Sequence, residues 1–471
     1  MNSSGQRLRV LFAASEAAPV ARVGGLAEAA AGLIRALRKH DAVELVVVLP
    51  DYGDVELENE TVRDLTVPKW VGPASVRVGV APELGQVELV TVPGIAKPHP
   101  YVDEEGTGWI DNDQRFFGFS AAVAAIATEV EADVVHLNDW HTALALALFD
   151  LPTVFTIHTL GYQGQAQREW LDVVGGPRIE AFDRIDHINP VAGAIQLADA
   201  VVAVSPSYAA EIRELHRGEG LHELLIERGD DLVGMCNGID VDLWDPKTDP
   251  HIAANYGRST IADKAANTHA LRLVAGWPDD DDLVLGMVTR MVDQKGIDLS
   301  LSLLPYLDGI GIRLFLLGSG EERFVRWARD LAAANPDRLH FVDKYDLELA
   351  HQIFAGADLF AMPSRFEPCG LAQMQAMRYG TIPVVTPVGG LRDTVLDANA
   401  NEAYGNGFVA KTVDVAGMVD AIHRAAAVCK VKKRRVAMQR LGMAQDWSWD
   451  APMQRHVELY EAVAAKQAKD G

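Results

Sequence analysis

The chain has 471 residues, 49% of them hydrophobic and 23% charged, with a formal net charge of −23. That length exceeds one ordinary core and points to two domains, while the acidic balance argues against sequence-independent binding to nucleic acid or to an anionic membrane. Three widely spaced cysteines, Cys236, Cys369 and Cys429, offer no Cys-x-x-Cys spacing and indicate neither a zinc site nor a disulfide framework.

A short polar lead, residues 1–7, runs into a strand predicted over 9–14. There is no apolar leader and no stretch of membrane-spanning length, so a cytoplasmic protein is expected. Further buried strands are predicted over 43–49, 134–137, 154–157 and 200–204, with helices over 26–39 and 114–129. The pattern restarts after Trp244-Asp-Pro. Strands over 283–288, 313–317, 339–342, 359–362 and 382–385 alternate with helices over 297–307, 321–334 and 348–355. A short helix over 372–379 and a helical tail over 447–469 complete the set. Apolar runs alternating with helices mean βαβ units and parallel sheets covered on both faces. The fold class is therefore α/β, with two doubly wound domains over residues 1–246 and 247–449 and a terminal helix, 450–471, returning to the first. The acidic run at 279–282 and the basic run at 430–435 read as solvated faces or helix ends.

In open α/β sheets, ligands bind outside the carboxyl ends of the strands. Polar or Gly-rich segments follow the predicted strands at 15–25, 138–141, His158, 290–295, 318–320 and 365–370, and would line one cleft if the two sheets face each other. In Arg22-Val-Gly-Gly-Leu26, Gly24 and Gly25 let backbone N–H groups approach a phosphate at a helix start. The spacing is not GxGxxG, so a nicotinamide cofactor is not supported, and a plain strand–helix turn is the other reading. Arg290 and Lys295 place two cations on one loop. They suit a diphosphate, at roughly 1.5–3 kcal/mol for each charge-assisted bond, or are solvated surface charges. Asp139 and His141 share a strand end and suggest a metal or an acid–base pair; with no third ligand at regular spacing, no metal is expected. His158 suits a sugar hydroxyl or a structural role. The run Met362-Pro-Ser-Arg-Phe-Glu-Pro-Cys-Gly-Leu371 sets Glu367 between an arginine and a Pro-Cys-Gly turn ahead of a helix. That turn leaves backbone N–H groups for an anion or a sugar hydroxyl, or is an N-capping turn with a surface salt bridge.

These segments, with Phe12-Ala-Ala-Ser-Glu-Ala-Ala-Pro19, Asn138-Asp-Trp-His-Thr142, Gly161-Tyr-Gln-Gly164, Val204-Ser-Pro-Ser-Tyr208, Asn237-Gly-Ile-Asp240, Arg378-Tyr-Gly-Thr381 and Gly389-Gly-Leu391, follow one another in a specific order. In that order and spacing the chain resembles the bacterial glycogen and plant starch synthases nearly end to end. The resemblance implies a GT-B fold, two Rossmann-like domains facing across a cleft. It implies transfer of glucose from a nucleotide diphosphate glucose, usually ADP-glucose, to the non-reducing end of an α-1,4-glucan, with retention and without metal or other cofactor. By motif, Arg290 and Lys295 would bind the leaving diphosphate and Glu367 would orient the donor sugar. The backbone of Cys369, Gly370 and Leu371 would meet sugar and phosphate. His158 would lie near the reacting centre and Asp139 near the glucose hydroxyls. Asn237 would help hold that glucose, Tyr345 would stack near the nucleobase, and Gly25 with its neighbours would touch phosphate.

Four positions depart from the family pattern. Arg22 stands for the usual Lys and Glu28 for Asp. Thr159 stands for Asn and Ala372 for Thr. All lie near the expected sugar and acceptor side, so an altered donor or product is one expectation and drift within a lineage the other. The alternatives are a related GT-B enzyme using UDP-glucose or another hexose donor, and a non-catalytic glucan-binding paralogue, against which intact Arg290, Lys295 and Glu367 argue.

Overall fold

The computed structural model describes residues 7–53, 55–401 and 403–470, the side chains of 467–470 apart; the start of the polar lead, 1–6, and the last residue of the tail, 471, lie outside them. The chain divides into two compact units. The first is Met1–Gly238 with Trp449–Gly471, and the second is Ile239–Ser448.

The first unit's strands are β1 (Leu8–Ala13), β2 (Val43–Pro50), β3 (Glu58–Asp64), β4 (Ser75–Ala81), β5 (Gly85–Thr91), β6 (Val134–Asn138), β7 (Thr153–Ile157), β8 (Ala166–Gln167), β9 (Asp183–Arg184), β10 (His187–Ile188), β11 (Ala200–Ala203) and β12 (Leu232–Gly234). Nine of them form one sheet in the order β12-β11-β7-β6-β1-β2-β5-β4-β3. From β12 to β5 the pairing is parallel, and β4 runs antiparallel to both β5 and β3. Strands β1, β6, β7 and β11 are buried almost throughout, which is why they read as apolar runs, whereas β2 exposes Glu44 and β5 mixes polar with buried residues. The β3–β4 hairpin escaped the sequence reading because β3, Glu-Asn-Glu-Thr-Val-Arg-Asp, is a polar, exposed edge. A separate small sheet holds β8, β10 and β9.

The helix Gly25–Arg38 follows β1, with Glu28 in its first turn and Arg35 and Arg38 in its last, matching the helix dipole. The C-terminal helix, Asp450–Asp470, begins three residues after the predicted start and puts Val457, Tyr460 and Val463 into the core with Phe12, Leu33 and Ile34.

The second unit's strands are β13 (Leu283–Val288), β14 (Ile312–Leu317), β15 (Leu339–Val342), β16 (Leu359–Met362), β17 (Ile382–Val385) and β18 (Phe408–Val409), all parallel in the order β15-β14-β13-β16-β17-β18. This is the doubly wound 3-2-1-4-5-6 order. The predicted helix over 297–307 is two helices, Ile297–Ser302 and Leu304–Leu307, because Pro305 lacks the N–H and carries a ring that clashes with the preceding turn.

The first unit ends at Gly238, ahead of the expected boundary at 246, because the following segment is bonded into the second unit. Ile239 donates its N–H to the Trp447 carbonyl at 2.8 Å, and the Trp244 ring stacks on His351 at 4.0 Å. Arg378 donates to the carbonyls of Val241 and Trp244 and to Asp245, each at 3.2 Å. No helix among the described residues is long and apolar enough to cross a membrane.

Candidate active site

In each unit the strand order reverses beside the first strand, and there the loops after two neighbouring strands diverge and open a crevice. In the second unit these are the loops after β13 and β16, which carry Arg290 with Lys295 and Glu367 respectively. Topology alone therefore brings the cations and the acid together.

The two loops are stitched backbone to backbone. Arg365 N–H donates to the Gln294 carbonyl at 2.8 Å, and Gln294 Nε2 donates to the Phe366 carbonyl at 3.3 Å. Arg365 also forks onto Asp298, Nη1 to Oδ1 at 2.8 Å and Nη2 to Oδ2 at 2.7 Å. This arginine belongs to the scaffold and leaves the acid two residues on for other work. Glu367, 6% exposed, accepts Lys295 Nζ on Oε2 at 2.6 Å and Ser364 Oγ on the same oxygen at 3.0 Å. Its backbone is pressed from behind by Gly389 and Gly390, where an added Cβ would lie 2.0 Å from the Glu367 carbonyl and 2.1 Å from the Cys369 carbonyl.

Arg290 stands exposed on the same loop and reaches Gln294 Oε1 at 3.4 Å, so it is not drawn onto the acid. Cys369 is buried and Gly370 has φ +75°; Gln373 Nε2 donates to both their carbonyls, at 3.2 and 2.9 Å. Leu371 caps the seven-residue helix Ala372–Arg378 without a side-chain cap. Tyr345 is 72% exposed on the loop after β15.

In the first unit the reversal falls between β1 and β6. The loop after β1 is organised by Glu16, a residue the sequence reading quoted without assigning. Its Oε2 accepts the N–H groups of Val23 (2.7 Å) and Gly24 (3.0 Å), and its Oε1 accepts Tyr101 Oη at 2.5 Å. The Gly24 N–H is thus already used, which leaves the anion-facing role to Gly25 and the helix start behind it. Gly25 has open space where a side chain would stand. Arg22 and Glu28, two of the four departures, meet as an ion pair at 2.6 Å. Tyr101 is held from a distant loop. Arg115, fully buried, donates to the carbonyls of Ile95 (2.7 Å) and Pro100 (2.8 Å) beside it. No local sequence signal links Arg115 to Glu16; a Glu directly after a strand and just before a Gly-Gly turn was the visible clue.

After β6, Asp139 has φ +54°, in the left-handed region that costs a non-glycine residue. The turn aims its carboxylate at the next strand end, where Oδ1 accepts the N–H of His158 at 2.8 Å and of Thr159 at 3.5 Å. Burial pushes Asp139 up to about 7, against those two N–H groups. His158 is pushed down to about 3 by burial and is a neutral ring. Asn138 Nδ2 donates to the Ala13 carbonyl at 2.9 Å, so its Oδ1 accepts at 2.9 Å from His158 Nε2, which carries the hydrogen. His158 Nδ1 is then a lone-pair acceptor. A narrow cavity is lined by His158 together with His136, Asn138, Asn237, Trp449 and His456. His141 turns instead to Ser15 Oγ at 3.2 Å and packs on Trp140 and Phe116. Among the described residues no group of three or more His, Cys, Asp or Glu side chains is placed to hold a metal ion.

Two doubly wound units of this kind, with a lysine–carboxylate pair at one reversal point and a glycine-rich helix start at the other, match the GT-B fold of glycosyltransferases. Residues 9–227 match the starch synthase catalytic domain and residues 275–437 the glycosyl transferases group 1 domain. The chain is 40% identical to the glycogen synthase of Aromatoleum aromaticum over 98% of each chain. It is 41% identical to that of Halorhodospira halophila, over 98% of this chain and 100% of the relative. The solved catalytic domain of starch synthase IV from Arabidopsis thaliana, bound to ADP and acarbose, superposes with a TM-score of 0.88 at 31% identity, covering 98% of this chain and 100% of that one. The chain belongs to the glycogen and starch synthase family and is a hexosyltransferase.

Proposed function

We propose that this enzyme elongates an α-1,4-glucan at its non-reducing end with glucose from a nucleotide diphosphate glucose, ADP-glucose before others, retaining configuration at the anomeric carbon. The observation that carries the reading is the Lys295–Glu367 contact at 2.6 Å, at the reversal point of a unit whose family members are glycogen synthases. The ADP held by the Arabidopsis structure supports the choice of nucleobase.

Same-face substitution needs no protein nucleophile. The glucan 4-oxygen bonds to the anomeric carbon as the carbon–phosphate oxygen bond breaks, and the hydroxyl proton passes to the departing phosphate. Lys295 and the exposed Arg290 stabilise the charge gathering on that diphosphate. About 3 kcal/mol from one such bond is on the order of a hundredfold in rate. Glu367, fixed through one oxygen, orients the donor sugar. The backbone of Cys369, Gly370 and Leu371 meets sugar and phosphate, and Tyr345 stacks on the base. In the first unit, Gly25 and its neighbours serve phosphate. Asp139, neutral His158 and Asn237 serve glucose hydroxyls. No metal and no other cofactor takes part. Such an enzyme works where nucleotide sugars are made, in the cytoplasm.

The Arg22–Glu28 ion pair favours drift over altered specificity, because the two departures satisfy each other. The test is nucleotide release with ADP-glucose, UDP-glucose and other sugar nucleotides, each with and without glycogen or maltooligosaccharide. Acceptor-dependent ADP release is expected. Turnover with another donor alone would overturn the choice of ADP-glucose. Glucan retention without turnover for any donor would make the protein a binding paralogue.

A further inference from the structure

Glu367 is held by one oxygen. Oε2 takes both Lys295 Nζ, at 2.6 Å, and Ser364 Oγ, at 3.0 Å, while Oε1 carries no hydrogen bond among the described residues. These two anchors differ in what donor binding does to them. Lys295 is the side chain that the proposed reaction needs for the diphosphate. An ammonium has three donors and can be shared, yet a multiply charged diphosphate draws it away from the acid. Ser364 meets no such competition. It is 1% exposed, and its carbonyl accepts Thr386 Oγ1 at 2.6 Å, which ties residue 364 to the end of β17. Next to it, Arg365 forks onto Asp298, at 2.7 and 2.8 Å. The hydroxyl therefore projects from backbone fixed on both sides.

We propose that Ser364 is the positioning residue for Glu367 in the donor complex: it keeps Oε2 anchored while Lys295 turns to the diphosphate, so that Oε1 stays aimed at the donor. The inference rests on reading this site as that of a nucleotide-sugar transferase. With no donor bound, Lys295 still holds the acid, so loss of the hydroxyl leaves the resting site assembled. Its effect falls on the transition state, when the lysine is engaged elsewhere and a wandering carboxylate no longer meets the sugar.

The experiment compares wild type, Ser364→Ala and Ser364→Thr by steady-state kinetics over donor concentration, with thermal denaturation alongside. For Ser364→Ala, kcat should fall about ten- to a hundredfold, the loss expected for one hydrogen bond to a charged group, with donor KM and Tm near wild type. Ser364→Thr, which keeps the hydroxyl, should recover most of the rate. An active wild type with unchanged kcat in Ser364→Ala overturns the inference and leaves the function standing. A higher KM or lower Tm with kcat intact, or Ser364→Thr no better than Ser364→Ala, also overturns it. A wild type silent with every sugar nucleotide overturns the function and the inference with it.

Discussion

Gly296 joins Lys295 to the helix Ile297–Ser302, and replacing it with alanine tests whether the loops that carry Lys295 and Glu367 depend on each other. Its φ is +63°, and an added Cβ would lie 2.1 Å from the Pro363 carbonyl oxygen, a backbone atom with no rotamer to escape into. Two costs add. The left-handed conformation disfavours alanine by about 1–2 kcal/mol. The contact must then open from 2.1 Å to at least the 3.4 Å of ordinary packing, which moves the backbone under Lys295 away from the backbone leading to Glu367. A displacement of about 1 Å in positioned catalytic groups is enough for on the order of a hundredfold in rate. Gly296→Ala is expected to lower the Tm of the second unit by about 2–8 °C from the conformational term and to lower kcat by about a hundredfold. Calorimetry and acceptor-dependent nucleotide release measure the two. Unchanged turnover in a folded variant would refute the claim that this backbone contact sets the lysine–acid geometry.

Glu367→Ala and Lys295→Ala should each lower kcat by at least about two orders of magnitude, from lost preorganised charge and orientation; near-normal turnover in either would remove the assigned role. Arg22→Lys should change donor KM more than Tm, because the Arg22–Glu28 pair is partly exposed at 37% and 23% and such pairs contribute little to stability; an unchanged KM takes Arg22 out of donor binding. Acid should weaken the first unit. Burial lowers His141 and His158 to about 3 and His456 to about 4, and holds His136 well below its usual range. Depressed folded values give stability that is full above about pH 6.5 and lost as pH falls towards 3–4. Asp139, raised to about 7, works the opposite way, its contribution being lost as pH rises towards 7. Thermal denaturation of His456→Gln from pH 4 to 8 should show a shallower acid slope than wild type; an equal slope contradicts the assignment.

The fold was legible where burial leaves a pattern. The second unit's strands β13, β15, β16 and β17 fall on the predicted residues 283–288, 339–342, 359–362 and 382–385: β13, β16 and β17 are buried apolar runs bounded by turns, and the half-buried edge strand β15 still carries three apolar residues of four. Also missed were β4 and β5, which alternate polar and buried residues, and the three-residue β12; the rest of what was missed lacks that contrast. Edge strand β3 is polar, β8 to β10 and β18 are two residues each, and Pro305 divided a helix whose apolar spacing continued through it.

The site was legible in its residues and not in its wiring. Arg290, Lys295 and Glu367 stand at strand ends, where a sequence can mark them. The bonds that give them work run between loops 72 residues apart, as from Lys295 to Glu367. Two chemical identities also changed once geometry was added. The Gly24 N–H, free in any reading of Gly-Gly as an anion cradle, is taken by Glu16, so the glycine pair is a half-used cradle whose charge is set from the strand before it. Arg365, beside Glu367 in sequence, serves Asp298, whereas Ser364, an unremarkable serine in the same run, holds the acid. Adjacency along a loop ranks these residues in the wrong order, because the chain bends at Arg365 and brings the Ser364 hydroxyl onto the acid three residues on. The anchored Oε2 of Glu367 thus belongs to the scaffold of the Pro363–Leu371 run, and Oε1, which carries no hydrogen bond among the described residues, is the oxygen that the proposed function leaves to the donor.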